Sequence, residues 1–227
     1  MPAEEATMAK TTLIFSGGLA PNDATLNAAR TIQNVNLVIA ADSGLHTAQK
    51  LNMRVDVVIG DFDSVDATAL ARATTRGAQT IRHSTDKDFT DLESALLFAA
   101  DKKSDRIVIV TAGGGRLDHQ FGVVAAMFNP KLRETNVEAL WNNAHLFALQ
   151  GPTTCEFAVA IGDTIGLQSF SNKSERIFTT GLRWQLNDET LANFETRGVG
   201  NIATADQVSV TVKLGQLIVT HQQQTKS

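Results

Sequence analysis

The stretch NLVIAADSGLHTAQKL, from Asn36 to Leu51, carries the decision about the fold. Leu37 to Ala41 form an unbroken apolar run of strand length, Asp42, Ser43 and Gly44 make a turn, and the residues beyond have helical spacing. The same grammar begins at TTLIFSGG, Thr11 to Gly18, and returns in VDVVIGDFDSVDATALARA, Val55 to Ala73. A fourth copy, RIVIVTAGGGRLDHQFGVVAAMF, runs from Arg106 to Phe128. Strands that read as continuous apolar runs and alternate with helices predict a mainly parallel sheet covered on both faces, a Rossmann-like three-layer α/β domain.

The helix before the fourth copy is the best marked. Thr90 and Glu93 have capping-box spacing, and Leu92, Ala95, Leu96 and Ala99 share one face. Beyond about Gly151 the grammar changes. Val208, Val210 and Val212 alternate with Ser209, Thr211 and Lys213, a turn follows at Gly215, and LIVTH completes a hairpin. This half reads as all-β. The expected division is an α/β domain over 10–150 and a β domain over 151–222, split where an apolar stretch gives way to Gly-Pro at Gly151 and Pro152. Residues 1–9 and 223–227 are expected to be flexible.

With 43% hydrophobic residues over 227 positions, the chain can bury a sizeable core. A formal net charge of -4 gives no reason to expect nucleic acid or an anionic membrane as a partner, so a phosphate-bearing ligand must be held locally, by loops or by a metal. A single cysteine, Cys155, cannot form an internal disulfide, and its apolar setting TCEFAVAI suits a small buried hydrophobe. The start of the sequence has no apolar signal-peptide core, which predicts a cytoplasmic location, and Met8, opening MAKTTLIF, is an alternative first residue.

In an open parallel sheet, ligands bind beyond the carboxyl ends of the strands, where loops converge and helix N-termini point free amides outward. Those loops hold Asp42, the pair Asp61 and Asp63, and Asp118, while the loop before the capped helix adds Asp86 and Asp88. Six carboxylates on one rim would repel one another unless a cation lay among them. Carboxylate oxygens without a Cys or His cluster suit a hard ion, and carboxylates completed by phosphate oxygens and water are the Mg²⁺ pattern. Asp61 and Asp63 stand two apart at a strand end, so both can reach one metal. Gly113, Gly114 and Gly115 let the backbone approach a ligand closely, and Arg116 can grip a phosphate in bidentate fashion. Ser16, Gly17 and Gly18 form a similar loop, Lys87 can screen charge or touch phosphate, and His119 is a candidate general base.

Taken together, ADSG at Ala41 to Gly44, GDFDS at Gly60 to Ser64, DKDFTDLESAL at Asp86 to Leu96 and GGGRLDH at Gly113 to His119 resemble the thiamine pyrophosphokinase family. In the second half TTGLRWQL, Thr179 to Leu186, and the terminal hairpin are also similar to that family. The resemblance implies a C-terminal β-sandwich that binds thiamine, a homodimer with the site near the subunit interface, and transfer of the β,γ-pyrophosphoryl group of ATP to the thiamine hydroxyl. It implies Asp61, Asp63, Asp86 and Asp88 at the metal, with Asp61, Asp63, Asp88 and Asp118 as catalytic residues. Asp42, Ser43, Gly44, Lys87, Gly113, Gly114, Gly115 and Arg116 are then expected around ATP, and Trp184 and Asn201 around thiamine. One departure is visible in GVGNIAT, where Gly200 stands in place of a serine common in the family. The competing readings are a pyrophosphokinase for another alcohol, such as a pterin, and a non-catalytic sensor of thiamine or nucleotide.

Overall fold

A computed structural model describes residues 9–224. The chain divides into two compact units between Ala126 and Met127. The expected flexible termini and the alternative start at Met8 lie largely outside the described residues.

The first unit runs β1 (Thr11–Phe15), α1 (Asp23–Thr31), β2 (Val35–Ala41), α2 (Gly44–Lys50), β3 (Val57–Gly60), α3 (Ala67–Thr75), β4 (Gln79–Arg82), α4 (Asp91–Asp101), β5 (Arg106–Thr111) and α5 (Leu117–Met127). Its strands pair in parallel in the order β4-β3-β2-β1-β5. The chain moves outward from β1 to β4 and then returns to the other side of β1, so β1 is where the direction of winding reverses. The loops leaving β1, β2, β3 and β5 all emerge at one edge of the sheet, the edge where such folds place ligands. Every residue of β1 is buried, as a central strand covered on both faces requires. At α4 the Thr90 hydroxyl accepts from the Glu93 amide at 3.1 Å, and the buried residues are Leu92, Ala95, Leu96 and Ala99. β4 has no apolar run: its sequence is QTIR, an exposed edge strand paired with β3.

The second unit holds β6 (Asn136–Trp141), β7 (Ala144–Gln150), β8 (Thr153–Ala158), β9 (Thr164–Ser169), β10 (Lys173–Thr180), β11 (Asn187–Ala192), β12 (Asn201–Ile202), β13 (Gln207–Leu214) and β14 (Gln216–Gln222). One antiparallel sheet has the order β12-β9-β14-β7-β6 and the other β11-β10-β13-β8. Phe147, Ile165, Leu167, Leu217 and Val219 of the first meet Ile177, Leu191, Val208, Val210 and Val212 of the second in one core, which makes the unit a sandwich. The boundary falls some two dozen residues before the Gly-Pro stretch. The reason is that β6 and β7, expected in the α/β domain, form an antiparallel hairpin, and β7 pairs along its whole length with β14.

Asp163, 3% exposed, ties this unit's last strand to the start of β9. It accepts from the amides of Ala160 at 2.9 Å and Gln224 at 3.0 Å and from His221 Nε2 at 2.7 Å. Burial pushes its carboxyl up, but the hydrogen bonds from His221 and the two amides outweigh that and hold it below the ordinary carboxylate range. A depressed folded value adds stability above the unfolded value, about pH 4, and that stability is lost as pH falls through the folded one. Asp163→Ala is therefore expected to destabilise the β unit by about 1–3 kcal/mol at neutral pH, by leaving the buried donors of Ala160, Gln224 and His221 without their acceptor. Urea denaturation at stepped pH checks this: the gap to the parent should narrow below about pH 4, and a pH-independent gap would refute the carboxylate explanation.

Candidate active site

The chain leaves β3 through Gly60, Asp61, Phe62 and Asp63. Phe62 has φ 65°, a left-handed conformation that is costly for a bulky side chain. It is braced by Arg82 at the end of β4, whose guanidinium lies 4.8 Å from the Phe62 ring centroid and donates to the Asp61 carbonyl at 3.0 Å. With Phe62 turned aside, Asp61 and Asp63 present their carboxylates together. The Asp63 amide donates to Asp61 Oδ1 at 3.1 Å, and the Ser64 hydroxyl donates to Asp63 Oδ1 at 2.8 Å.

Asp42 reaches the same place from β2. It is also left-handed, at φ 47°, and its amide donates to the Ile59 carbonyl at 2.8 Å, which pins it to the end of β3. One oxygen from each of Asp42, Asp61 and Asp63 falls within 4.8 Å of the others. Among the described residues Asp42 Oδ1, which is buried, finds no hydrogen-bond partner, an expensive condition for a carboxylate oxygen unless a ligand completes it.

The electrostatics divide these acids. Burial, together with Asp91, Asp61 and Asp63 nearby, pushes the Asp42 carboxyl up. The Asp63 amide, aided by Lys87, holds Asp61 below its ordinary value. Lys87 is nearly buried, with its ammonium 2.9 Å from Asp91 Oδ1 and 3.9 Å from Asp61 Oδ2. Its charge is engaged by carboxylates, so it acts first as a brace on the acidic cluster. The three converging carboxylates, one of them orphaned, form an all-oxygen donor set that fits Mg²⁺.

Of the expected acids, Asp86 and Asp88 lie exposed on the loop before α4 and stand outside the converging group. Asp118, on the first turn of α5, forms a two-point ion pair with Arg116 at 3.2 and 2.6 Å, and that pairing holds its carboxyl low. His119 is exposed beside it. Gly113, Gly114 and Gly115 have φ of 61°, 78° and 70°, three successive left-handed residues that only glycine adopts freely. The Ser43 hydroxyl accepts from the Gly18 amide at 3.3 Å and so links the loops after β1 and β2. Two residues near the acids were not foreseen. Asp91 hides in a sequence that also reads as a helix start, and only its four-residue spacing from Lys87 signals a pair. Arg82 sits in a strand without hydrophobic pattern.

In the β unit, Trp184 is 55% exposed, with the Arg183 guanidinium 4.9 Å from its ring centroid. Asn201 is buried, and its side chain bonds main-chain groups of Trp184 and Ile202. Gly200 has φ 75° with open space where a β-carbon would lie. Gly200→Ser is therefore expected to cost about 1 kcal/mol from backbone strain alone, read as a small fall in the unfolding midpoint. No fall would show that the loop relaxes.

Comparison with known proteins bears on both units. The family model described as thiamin pyrophosphokinase, catalytic domain, matches residues 28–139, and the one described as thiamin pyrophosphokinase, vitamin B1 binding domain, matches residues 154–219. Thiamine pyrophosphokinase 1 of Oryza sativa subsp. japonica is 25% identical over 173 residues, covering 71% of this chain and 64% of that protein. Thiamine pyrophosphokinase 2 of Arabidopsis thaliana is 29% identical over 164 residues, 67% of this chain and 58% of that protein. The matched region thus spans less than two thirds of these plant relatives. The crystal structure of thiamine pyrophosphokinase from Bacillus subtilis superposes with a TM-score of 0.79 at 22% identity, over 95% of this chain and all of that one. The enzyme from Geobacillus thermodenitrificans gives 0.76 at 20% identity, over 96% and 99%. At such identities the structures speak to the fold, and the two domain models, matched in order along the chain, speak to the lineage: the chain belongs to the thiamine pyrophosphokinase family.

Proposed function

We propose that this protein transfers the β,γ-pyrophosphoryl group of ATP to the hydroxyl of thiamine, giving thiamine diphosphate and AMP. The observation that carries the reading is the convergence of Asp42, Asp61 and Asp63, with an orphaned carboxylate oxygen among them, in a domain matched by the family's catalytic model. These three residues would hold Mg²⁺, which when bound neutralises charge on the phosphate oxygens during in-line attack. The Asp63 amide, aided by Lys87, favours the ionised form of Asp61, and Lys87 is itself held by Asp91. Arg82 holds the Asp61–Asp63 loop in its strained form. The amides of Gly113 to Gly115 and the Arg116 side chain, once released from Asp118, are groups that can take phosphate oxygens. The attacking hydroxyl needs positioning more than covalent help, so no enzyme-bound intermediate is invoked.

In the β unit the exposed indole of Trp184 suits a cationic thiazolium or an aromatic aminopyrimidine. Trp184→Ala is expected to raise KM for thiamine about tenfold while KM for ATP stays put. Equal KM values for thiamine in the two proteins would remove Trp184 from the site. The family resemblance further supports a cytoplasmic homodimer, which light scattering on the purified protein tests for assembly.

Incubation with ATP, Mg²⁺ and thiamine tests the activity directly. Thiamine diphosphate and AMP are the expected products. ADP with thiamine monophosphate would overturn the pyrophosphoryl transfer, and turnover of another alcohol alone, such as a pterin, would move the acceptor. Thiamine binding without turnover of any acceptor would favour a sensor.

A further inference from the structure

Asn201 was expected as a ligand of thiamine, but its side chain is already in use. Asn201 Oδ1 accepts from the Trp184 amide at 3.1 Å and from the Ile202 amide at 2.9 Å, and Nδ2 donates to the Trp184 carbonyl at 2.7 Å. The residue is 6% exposed. Both acceptor sites of the oxygen and one of the two N–H donors are thereby occupied.

The pattern has a structural logic. The segment leading to Trp184 runs antiparallel to β12 and its continuation: Leu182 bridges Ala203, and the Arg183 amide donates to the Ile202 carbonyl at 2.9 Å. At Trp184 the main-chain pairing stops, and the Asn201 carboxamide takes the place of a peptide group, meeting both the N–H and the C=O of one residue. Asn201 itself is held by β12, where it pairs with Ile165 of β9. The Trp184 backbone is thus fixed to the sheet although its indole projects into solvent. Arg183 stacks on the indole, and its charge directs a cationic ring to the opposite face.

We infer that Asn201 is a positioning residue, whose side chain clamps the Trp184 backbone to β12 and so presents the indole to thiamine without itself touching the substrate. This rests on the reading of Trp184 as the thiamine-binding face. The clamp demands a carboxamide of this length. Aspartate keeps the acceptor but sets a carboxylate oxygen against the Trp184 carbonyl, and alanine removes both contacts.

The test uses the full chain with Trp141→Phe, so that Trp184 is the only tryptophan, and adds Asn201→Ala or Asn201→Asp. Without any ligand, both variants should lower the fluorescence anisotropy of Trp184 and increase its quenching by acrylamide. Both should raise KM for thiamine about tenfold, with kcat and KM for ATP within about twofold of the parent. Unchanged anisotropy in both variants overturns the inference, and raised KM with unchanged anisotropy means that Asn201 contacts thiamine directly. Altered anisotropy with unchanged KM overturns it too, because the held pose is then not used. A Trp184→Ala control separates the two layers. If it leaves KM for thiamine unchanged while Asn201→Ala still loosens Trp184, the substrate reading fails and the clamp does not. Should Asn201→Ala fail to fold, Asn201→Asp, which keeps the acceptor for both amides, carries the comparison.

Discussion

Replacing Asp61 by Asn is expected to lower kcat for thiamine diphosphate formation by about 10³-fold while leaving the unfolding midpoint within about 2 °C of the parent. The two halves of this expectation have separate causes. An asparagine keeps a carbonyl oxygen where Asp61 Oδ1 accepts from the Asp63 amide, and Arg82 still binds the carbonyl of residue 61 and covers Phe62. Lys87 retains Asp91 at 2.9 Å, so no buried charge is orphaned. What disappears is one negative charge from a site where three carboxylate oxygens lie within 4.8 Å. A preorganised charge of this kind acts on the transition state far more than on packing. Asp63→Asn should behave alike, and both should exceed Asp86→Asn and Asp88→Asn, whose side chains are exposed outside the group. Near-normal rates in both Asp61→Asn and Asp63→Asn would mean that the metal sits elsewhere.

The legible parts of this protein are those where a local rule and the global fold agree. The runs at Leu13, Val38, Val58 and Val108 read as strands because both faces of a parallel sheet are buried, and Thr90 reads as a cap because it is one. The boundary was less legible. β6 and β7 read like the strands before them, and only the pairing of β6 with β7 and of β7 with β14, far along the chain, reveals the antiparallel unit. At the site, aspartates in loops after strands were visible as a set. The convergence of Asp42 with Asp61 and Asp63 depends instead on left-handed backbone at Asp42 and Phe62, neither of which is a glycine to mark the position. The partners of Asp91 and Asn201 were not legible for one shared reason. Each belongs to a residue type with a common local use, helix capping or ligand contact, and its actual partners come from elsewhere in the fold.

Gly44→Ala is expected to be among the most damaging small substitutions, destabilising the α/β unit by about 3 kcal/mol or more and lowering its midpoint by roughly 6–12 °C. A β-carbon on Gly44 would lie 2.0 Å from the Phe15 carbonyl oxygen and 2.6 Å from its carbon, both main-chain atoms of the fully buried β1. Neither can swing aside like a flexible side chain. Relief requires α2 to retreat by about an ångström, which opens a gap under Leu45 and Ala48, both 0% exposed. The same movement drags Ser43 and Asp42 away from the end of β3, where Asp42 is held by the Ile59 carbonyl. Activity should therefore fall further than the loss of folded protein explains, which assays well below the midpoint would reveal. Gly122→Ala is the matched control. Gly122 lies within α5 with nothing inside 4 Å of its added carbon, so there alanine should be neutral or stabilising by up to about 1 kcal/mol. A Gly44→Ala protein that melts like its parent would show that α2 shifts without penalty. The glycine of the ADSG turn would then serve the ligand alone, and not the packing that holds Asp42 in place.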